Sequence, residues 1–307
     1  MGREEGEKIK LIVQPDDGLT PLVQAIRRAK KTIDIVIFRF DRTELEKALE
    51  AAVARGVAVR ALVAHTNRGG EKNLRKLEMN LLEVGVTVAR TADDLVRYHG
   101  KMMIVDDATL YVFAFNYTKL DVEKSRSFGV STKNAGLVKE AKTLFEADAT
   151  RQGYTPSHPR FVVSPESSRR MLSDFIKRAK KQLLIYDDKV TDKLILRLLQ
   201  DRAKAGVEIK VIGKIDKSLE GIQCCKLADM RPHVRVIVRD GTQAFVGSQS
   251  LRKLQLDNRR EIGVIVTDSR IAKKIQSVFE SDWALSAPKK LEKEAEAAAT
   301  STPAGAK

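Results

Sequence analysis

The strongest constraint on the fold of this chain is an internal repeat that spans most of its 307 residues. Residues 56–65 align with residues 206–215 at an offset of 150 positions. Farther along each half the offset falls to 134, which places His99 onto His233, so the first half holds 16 additional residues between His65 and His99. A duplicated unit of this length predicts two similar halves packed about a pseudo-two-fold axis.

Both halves alternate strand-like and helix-like segments. Short apolar runs such as 33–38 and 207–212 predict buried strands, whereas amphipathic stretches such as 43–55 and 191–204 predict helices. Each half is predicted to run strand, helix, strand, helix, strand, connector, three strands and helix. This alternation favours an α/β fold made of two tandem α/β/α sandwich repeats.

Turn-forming and low-complexity segments mark the boundaries between these units. Residues 151–159 are rich in Pro, Gly, Ser and Thr, and we predict that they form a linker. Residues 288–307 are rich in Ala, Ser and Thr, and we predict a disordered tail there. The first repeat therefore covers residues 1–150, and the second covers residues 160–287.

Composition limits the class of protein. With 43% hydrophobic residues the chain can form a packed core, and no apolar run approaches the roughly 18 residues that a membrane helix needs. The N-terminal segment lacks the apolar core of a signal peptide. The two cysteines, Cys224 and Cys225, are adjacent, which excludes a disulfide framework and a thiolate zinc site. These features predict a cytoplasmic protein.

The net charge of +15 favours polyanionic partners. A positive field of this size attracts nucleic acid, anionic lipid surfaces or phosphorylated ligands, although solubility alone is the simpler explanation of such a charge. Aromatic residues make up only 5% of the chain, which argues mildly against a surface that stacks the bases of single strands.

A histidine and a lysine two residues apart form the first chemically distinctive pattern. His99 and Lys101 lie on one predicted strand and point to the same face, because side chains alternate along a strand with a period of two. Asp106 has the opposite parity, so we expect it to hold a loop or a backbone N–H. Asn116 lies on the next predicted strand. An imidazole, an ammonium and an amide together suit the binding of a phosphoryl group.

The second half repeats this pattern with changes. Its histidine and aspartate are separated by seven residues, the same spacing as in the first half, and Arg235 stands where the first half has its lysine. A Gly-Ser-x-Ser segment and a glutamate follow downstream. The candidate residues of the second half are His233, Arg235, Asp240, Ser248, Ser250 and Glu261.

The doubled pattern resembles that of the phospholipase D superfamily, whose hallmark is two H-x-K-x(4)-D motifs, each followed by a G-S-x-N element and a glutamate. The resemblance covers residues 9–287. The first motif, HGKMMIVD, matches in full, whereas the second, HVRVIVRD, has Arg235 in place of lysine. The G-S-x-N element is divided, with Ser248 kept in the second half and Asn116 in the first. Ser127 stands at the glutamate position of the first half.

This resemblance implies two packed phospholipase D-like repeats and phosphodiester chemistry without a metal or another cofactor. In the family, one histidine attacks phosphorus and forms a phosphohistidine, while the other protonates the leaving oxygen. Lys101 and Arg235 would stabilise charge on the non-bridging oxygens. The resemblance further implies supporting or phosphate-binding roles for Asn116, Ser248, Ser250, Asp106 and Asp240.

The glutamates distinguish the two histidines. In the family, the glutamate of one half orients the histidine of the other half. Glu261 is therefore expected to hold His99, whereas Ser127 is expected to leave His233 without a carboxylate partner. From this asymmetry we assign His99 as the nucleophile and His233 as the general acid.

The resemblance also bears on substrate and partners. Two-repeat members of the superfamily often act on phospholipids, which implies hydrolysis or transfer of phosphatidyl groups in a cardiolipin-synthase-like enzyme, peripheral to an anionic membrane surface. Two alternatives stay open. A nuclease would use the same site and the basic surface for nucleic acid, and a weakened phosphate-binding protein would account for Arg235. Because two fused halves complete one site, we expect a monomer without an obligate protein partner.

Overall fold

The structure is a computed structural model that describes residues 8–65, 71–216 and 219–300. The elements of the first half are β1 Ile9–Gln14, α1 Thr20–Arg28, β2 Thr32–Ile37, α2 Thr43–Ala54, β3 Ala58–Val63, α3 Glu71–Glu83, β4 Thr87–Arg90, β5 Arg97–Tyr98, β6 Met102–Val105, β7 Thr109–Phe113, α4 Lys119–Glu123, β8 Ser125–Thr132 and α5 Ala135–Thr150. Those of the second half are β9 Phe161–Ser164, α6 Ser168–Lys177, β10 Gln182–Val190, α7 Lys193–Lys204, β11 Glu208–Ile215, β12 Ile222–Cys225, β13 Arg231–Pro232, β14 Arg235–Arg239, β15 Gln243–Gly247, α8 Lys253–Asp257, β16 Arg259–Val266 and α9 Ser269–Thr300.

The two halves follow the same order of elements, apart from one insertion. The additional residues of the first half include helix α3, for which the described part of the second half has no counterpart. The short helices α4 and α8 occupy equivalent places, each just before the last strand of its half. Helix α7 begins where the sequence suggests, because the Asp192 side chain accepts hydrogen bonds from the backbone N–H groups of Leu194 and Ile195.

Each half is built on a mixed eight-stranded sheet. The first sheet runs β1-β8-β7-β6-β2-β3-β4, with β13 beside β8, and the second runs β12-β11-β10-β14-β15-β16-β5, with β9 beside β16. Strands β2, β3 and β4 pair in parallel, as do β10, β11 and β12. This is the α/β architecture of two related repeats that the alternation of elements predicts.

Each half also contributes one two-residue strand to the sheet of the other half. Strand β5 of the first half pairs with β16, and strand β13 of the second half pairs with β8. The next residue after β5 is His99, and the next residue after β13 is His233. The exchange of strands therefore brings both histidines to the interface between the halves.

Apolar side chains pack on both faces of the sheets. Met102 and Ile104 on β6 point into a core that is shared by the two sheets and by helices α5 and α9, together with Val236 of the second half. Met103 and Val105 point to the opposite face, where helices α1, α2 and α3 cover the first sheet. Helices α6 and α7 cover the outer face of the second sheet. Each half is therefore an α/β/α sandwich.

Two buried arginines that the repeat relates hold the halves together. Arg126 of β8 donates to Asp282 of α9 with an Nε–Oδ2 distance of 2.8 Å, and Arg260 of β16 forms an ion pair with Asp148 of α5 at 3.1 Å. Each guanidinium also donates to a backbone carbonyl at the end of β1 or β9. In both cases the ion pair joins a strand of one half to a helix of the other.

The prediction of a disordered tail is wrong for residues 288–300, which continue helix α9. This segment is rich in Ala, Glu and Lys, which have high helix propensity, and it extends a helix whose earlier turns lie in the shared core. Residues 301–307 lie outside the described part of the chain. Residues 151–159, which connect the halves, contain no helix or strand, and Tyr154 among them is buried.

Candidate active site

His99 lies at the interface between the halves, where strand β5 ends. Its backbone N–H donates to the carbonyl of Arg260 at 2.7 Å, which extends the pairing of β5 with β16 by one residue. Its Nδ1 lies 2.8 Å from Oε2 of Glu261. Phe38 packs against the ring edge-to-face, with a distance of 4.6 Å between ring centroids. These contacts fix the imidazole with Nδ1 toward Glu261, so Nε2 is the nitrogen that does not face a carboxylate.

Lys101 is fully buried beside this histidine. Its Nζ lies 2.9 Å from Nδ1 and 2.8 Å from Nε2 of His99. Burial, with a smaller effect from Lys101, lowers the pKa of His99 to about 4, although Glu261 acts in the opposite direction. Burial likewise lowers the pKa of Lys101 to about 7, and Arg235 adds to this effect. At neutral pH His99 is therefore a neutral imidazole, and Lys101 is close to its titration point.

Glu261 is fully buried behind His99. Burial opposes its ionisation, but the neighbouring His99 and Lys101 hold the pKa of its carboxyl below the ordinary value. Its Oε1 accepts no hydrogen bond from a described residue, but it lies 3.9 Å from Nη1 of Arg259. The carboxylate therefore contacts the imidazole through Oε2 and a guanidinium through Oε1.

The second histidine, His233, also has a carboxylate beside it. Oδ2 of Asp121 on helix α4 lies 3.3 Å from Nδ1 of His233, within ion-pair distance, although Nδ1 makes no hydrogen bond to a described residue. The expectation that Ser127 leaves this histidine without a carboxylate partner is therefore wrong. Ser127 is buried on β8, and its hydroxyl has no hydrogen-bond partner among the described residues. Burial, followed by the positive charges of Arg235 and Lys101, lowers the pKa of His233 well below its ordinary value.

Asn116 belongs to the same network through Asp121. Its backbone N–H and its Nδ2 donate to Oδ2 of Asp121 at 2.9 and 2.6 Å. Arg231, at the start of β13, donates to Oδ1 of Asp121 at 2.5 Å. Asn116 therefore supports the carboxylate beside His233, and its own Oδ1 is buried without a partner among the described residues.

Arg235 points into the site from the first position of β14. Its Nη2 donates to Oδ1 of Asp188 at 2.8 Å, whereas Nε and Nη1 are buried without a partner among the described residues. Its positive charge lowers the pKa of His99, Lys101 and His233. These four side chains therefore act on one another within one site, and Arg235 has two hydrogen-bond donors available there.

The two serines of the second half are engaged by neighbouring protein groups. The hydroxyl of Ser248 accepts a hydrogen bond from the backbone N–H of Ile262 at 3.1 Å and helps to lower the pKa of Glu261. The hydroxyl of Ser250 donates to Oδ1 of Asp187 at 2.6 Å, and burial raises the pKa of that aspartate to about 6. Both serines support the carboxylates around the site.

Asp106 and Asp240 lie apart from the two histidines. They follow β6 and β14, at the ends remote from the histidines. The Asp106 carboxylate accepts hydrogen bonds from three backbone N–H groups in residues 30–32, and the Asp240 carboxylate accepts the equivalent three in residues 180–182. Each aspartate fixes the start of the neighbouring strand, which is the loop-holding role expected from the parity of Asp106.

The sequence patterns missed three residues of the site. Asp121 and Asp188 have no equivalent acid in the other half, where Gln255 and Phe38 occupy the corresponding positions. Phe38 itself is an ordinary apolar residue at the end of a buried strand. A repeat detects what both halves share, so these unshared residues gave no signal.

Two further observations concern metal binding and membrane crossing. Among the described residues, no three His, Cys, Asp or Glu side chains converge as a metal site would require. No helix in the described ranges is both long enough and apolar enough to cross a bilayer.

Comparisons with known proteins add family membership to this geometry. The sequence profile of the family described as cardiolipin synthase, PLD-like domain, matches residues 22–149 and 172–283. No curated protein sequence matches the chain significantly.

Two solved structures share the fold. Polyphosphate kinase from Porphyromonas gingivalis superposes with a TM-score of 0.74 at 20% identity, covering 89% of this chain and 50% of that one, so the present chain spans half the length of the kinase. Phosphatidylserine synthase from Haemophilus influenzae Rd KW20 superposes with a TM-score of 0.66 at 10% identity, covering 89% and 85% of the two chains. The family profile covers most of both repeats, and the chain therefore belongs to the phospholipase D superfamily, in the PLD-like domain family described for cardiolipin synthase.

Proposed function

We propose that this protein is a phosphodiesterase of the phospholipase D type, which hydrolyses or transfers phosphatidyl groups through a phosphohistidine intermediate. The observation that supports this most directly is the single site between the halves, with two histidines, Lys101 and Arg235. Two donors of Arg235 are buried there without a partner among the described residues. Phosphoryl oxygens would satisfy these donors, and a charge-assisted hydrogen bond of this kind is among the stronger ones in proteins.

In the proposed first step, His99 attacks phosphorus. Glu261 accepts a hydrogen bond from Nδ1, so the lone pair of Nε2 forms the new P–N bond. The bond between phosphorus and the leaving oxygen breaks, and that oxygen takes a proton from His233. A phosphoryl group bound to Lys101 lies within reach of Nε2, because Nζ is 2.8 Å from that nitrogen.

In the proposed second step, water or an alcohol attacks phosphorus. The attacking oxygen gives its proton to His233, the P–N bond breaks, and His99 leaves as a neutral imidazole. Water yields a phosphate monoester and an alcohol yields a new diester. His233 must be protonated for the first step, and the negative charge of a bound diester between Lys101 and Arg235 favours its imidazolium form.

Ligand affinity is expected to depend on pH through Lys101. Its pKa of about 7 in the free protein means that above this pH the ammonium must be re-protonated when an anion binds. The Kd of a small dialkyl phosphate, which keeps one negative charge in this range, should be constant below pH 7 and rise above it. Calorimetric titration should show this rise in the wild type and a flat profile in Lys101→Arg, because the guanidinium stays protonated. An identical profile in both proteins would contradict the assignment.

Exposed apolar side chains next to lysines support the proposal that the protein acts at a lipid surface. The equivalent residues Leu120 and Leu254, on helices α4 and α8, are 50% and 40% exposed. Each follows an exposed lysine, Lys119 or Lys253. Val96, three residues before His99, is 61% exposed. Apolar side chains interleaved with cations suit the interface of an anionic bilayer, where each cation near the surface is worth about 1 kcal/mol.

Head-group release from phospholipid vesicles tests this proposal. The wild type and Lys101→Met are compared on neutral and on mixed anionic vesicles, in excess EDTA. We expect the wild type to release head groups faster from anionic vesicles, and Lys101→Met to be about 10²–10³-fold slower, the usual cost of removing one charge-stabilising donor. Equal rates for the two proteins would contradict the assigned site.

Two further substrates in the same buffer separate the alternatives. Cleavage of plasmid DNA without release from vesicles would replace the lipid proposal by a nuclease, whose activity should fall steeply with salt. Inorganic polyphosphate is included because a polyphosphate kinase shares the fold. Failure to turn over any of the three substrates would contradict an enzymatic function and favour a phosphate-binding protein.

A further inference from the structure

The residue of the first half that is equivalent to Glu261, and that would be expected to orient His233, is not an acid. Ser127 is equivalent to Glu261 in the repeat, and its buried hydroxyl makes no hydrogen bond to a described residue. A histidine that acts as a general acid needs its second ring nitrogen held by a partner, so that the catalytic nitrogen faces the leaving group. The first half must supply this partner from elsewhere if His233 is to act.

Asp121 lies where such a partner is needed. Its Oδ2 is 3.3 Å from Nδ1 of His233, an ion-pair distance at which Nδ1 makes no hydrogen bond to a described residue in the free protein. Asp121 comes from the first half, just as Glu261 of the second half comes to His99. The carboxylate reaches the histidine from helix α4 instead of from strand β8. Each half therefore still places a carboxylate beside the histidine of the other half, but the first half does so with a residue at a different position.

The surroundings of Asp121 fix its carboxylate in place. The carboxylate is almost fully buried and accepts hydrogen bonds from Asn116 on one oxygen and from Arg231 on the other. Glu261, in contrast, has one oxygen that accepts no hydrogen bond from a described residue and lies 3.9 Å from Nη1 of Arg259. The donors around Asp121 neutralise much of its charge, so it fixes the direction of the imidazole without retaining the proton strongly.

We propose that Asp121 is the positioning residue that orients His233 as the general acid. It takes the role of the glutamate that Ser127 replaces in the first half. This inference rests on the proposed phosphodiesterase function. It predicts that loss of Asp121 slows the reaction more when the leaving group must be protonated than when it departs as an anion. Leaving-group dependence is a readout that a purely structural contact would not produce.

Two soluble phosphodiesters test the proposal. One releases p-nitrophenol, which departs readily as an anion, and the other releases an alkyl alcohol, which must be protonated. We expect Asp121→Ala to slow release of the alcohol by about 10²-fold, the lower range for loss of general acid catalysis, and to leave release of p-nitrophenol nearly unchanged. Glu123→Ala is the matched control on the same helix, because Glu123 pairs with Arg42 away from the histidines.

A double variant tests whether a carboxylate at position 127 restores the activity that Asp121→Ala loses. In Asp121→Ala/Ser127→Glu the carboxylate returns to the position equivalent to Glu261, and release of the alcohol should recover in part. Equal slowing on both diesters, or no slowing on either, would overturn the proposal. If the wild type cleaves neither diester, the proposed function fails instead.

Nuclear magnetic resonance of the histidine side chains tests the inference without turnover. In the wild type, the nitrogen signals of His233 should report a proton on Nδ1, facing Asp121. In Asp121→Asn, which keeps the size of the side chain if Asp121→Ala fails to fold, this preference should be lost. An unchanged tautomer of His233 in that variant would overturn the proposal even for an inactive protein.

Discussion

Replacing His99 by alanine is expected to abolish turnover of every phosphodiester substrate. The substitution removes the only atom assigned to form the P–N bond, so the loss should be at least about 10³-fold, as for other enzymes that lose their nucleophile. The measurement is the initial rate of head-group release in EDTA. No covalent phosphoryl group should be recovered on the variant after rapid quenching.

A matched histidine substitution controls for general effects on the fold. His158 lies in the segment that connects the halves, and its Nδ1 accepts a hydrogen bond from the backbone N–H of Arg160 at 3.2 Å. His158→Ala should keep a rate similar to that of the wild type. If His99→Ala also keeps such a rate, the assignment of the nucleophile is wrong, and with it the proposed site.

Replacing Arg260 by methionine is expected to cost about 3–5 kcal/mol in the free energy of unfolding, the range for breaking a buried ion pair from one side. Its side chain is 7% exposed and lies between Asp148 and Glu166, with Nη–Oδ and Nη–Oε distances of 3.1 and 2.5 Å. It also donates to the carbonyl of Ser164. The substitution leaves two carboxylates without their cation at the interface between the halves. Urea denaturation measures the loss.

The loss should depend on pH, because Asp148 can be protonated. Burial already raises the pKa of Asp148 to about 6, above its value in the unfolded chain, so ionisation of this group lowers stability as pH rises through that range. Without Arg260 its pKa rises further. We therefore expect a larger loss at pH 8 than at pH 5, and a smaller loss in Arg260→Met/Asp148→Asn.

A surface arginine provides the comparison for this experiment. Arg270 is exposed in the first turn of α9 and pairs with Asp268, which precedes the helix, and Arg270→Met should have no measurable effect on the unfolding transition. Equal losses for Arg260→Met at the two pH values, with no recovery in the double variant, would contradict the role given to the buried pair.

The repeat predicted much of the fold because it compares the chain with itself. The alternation of strands and helices and the two sandwiches follow from the alignment of the halves, whereas helices α3, α4 and α8 are absent from the predicted order of elements. The exchanged strands β5 and β13 could not be predicted, because two residues are too few to show a period of two. The low-complexity composition of residues 288–300 predicts disorder, whereas the high helix propensity of their Ala, Glu and Lys residues lets α9 continue to Thr300.

In the candidate site, the sequence predicts the residues that the two halves share but not those that only one half contains. His99, Lys101 and Glu261 were found from their spacing, and the structure brings them together. Asp121 was missed because its partner His233 lies 112 positions away in the sequence, and no equivalent acid exists in the second half. A contact that one half has changed on its own becomes visible only when the two halves are packed together.

The position of a trapped phosphoryl group shows directly whether His99 or His233 is the nucleophile. The wild type is mixed with a phosphodiester substrate and quenched in base, where phosphohistidine survives, and the modified peptide is identified by mass spectrometry. We expect a phosphoryl group on His99, and we expect it to accumulate further in a His233→Ala variant when the leaving group needs no proton. A phosphoryl group on His233 instead, or none on either histidine during measured turnover, would contradict it.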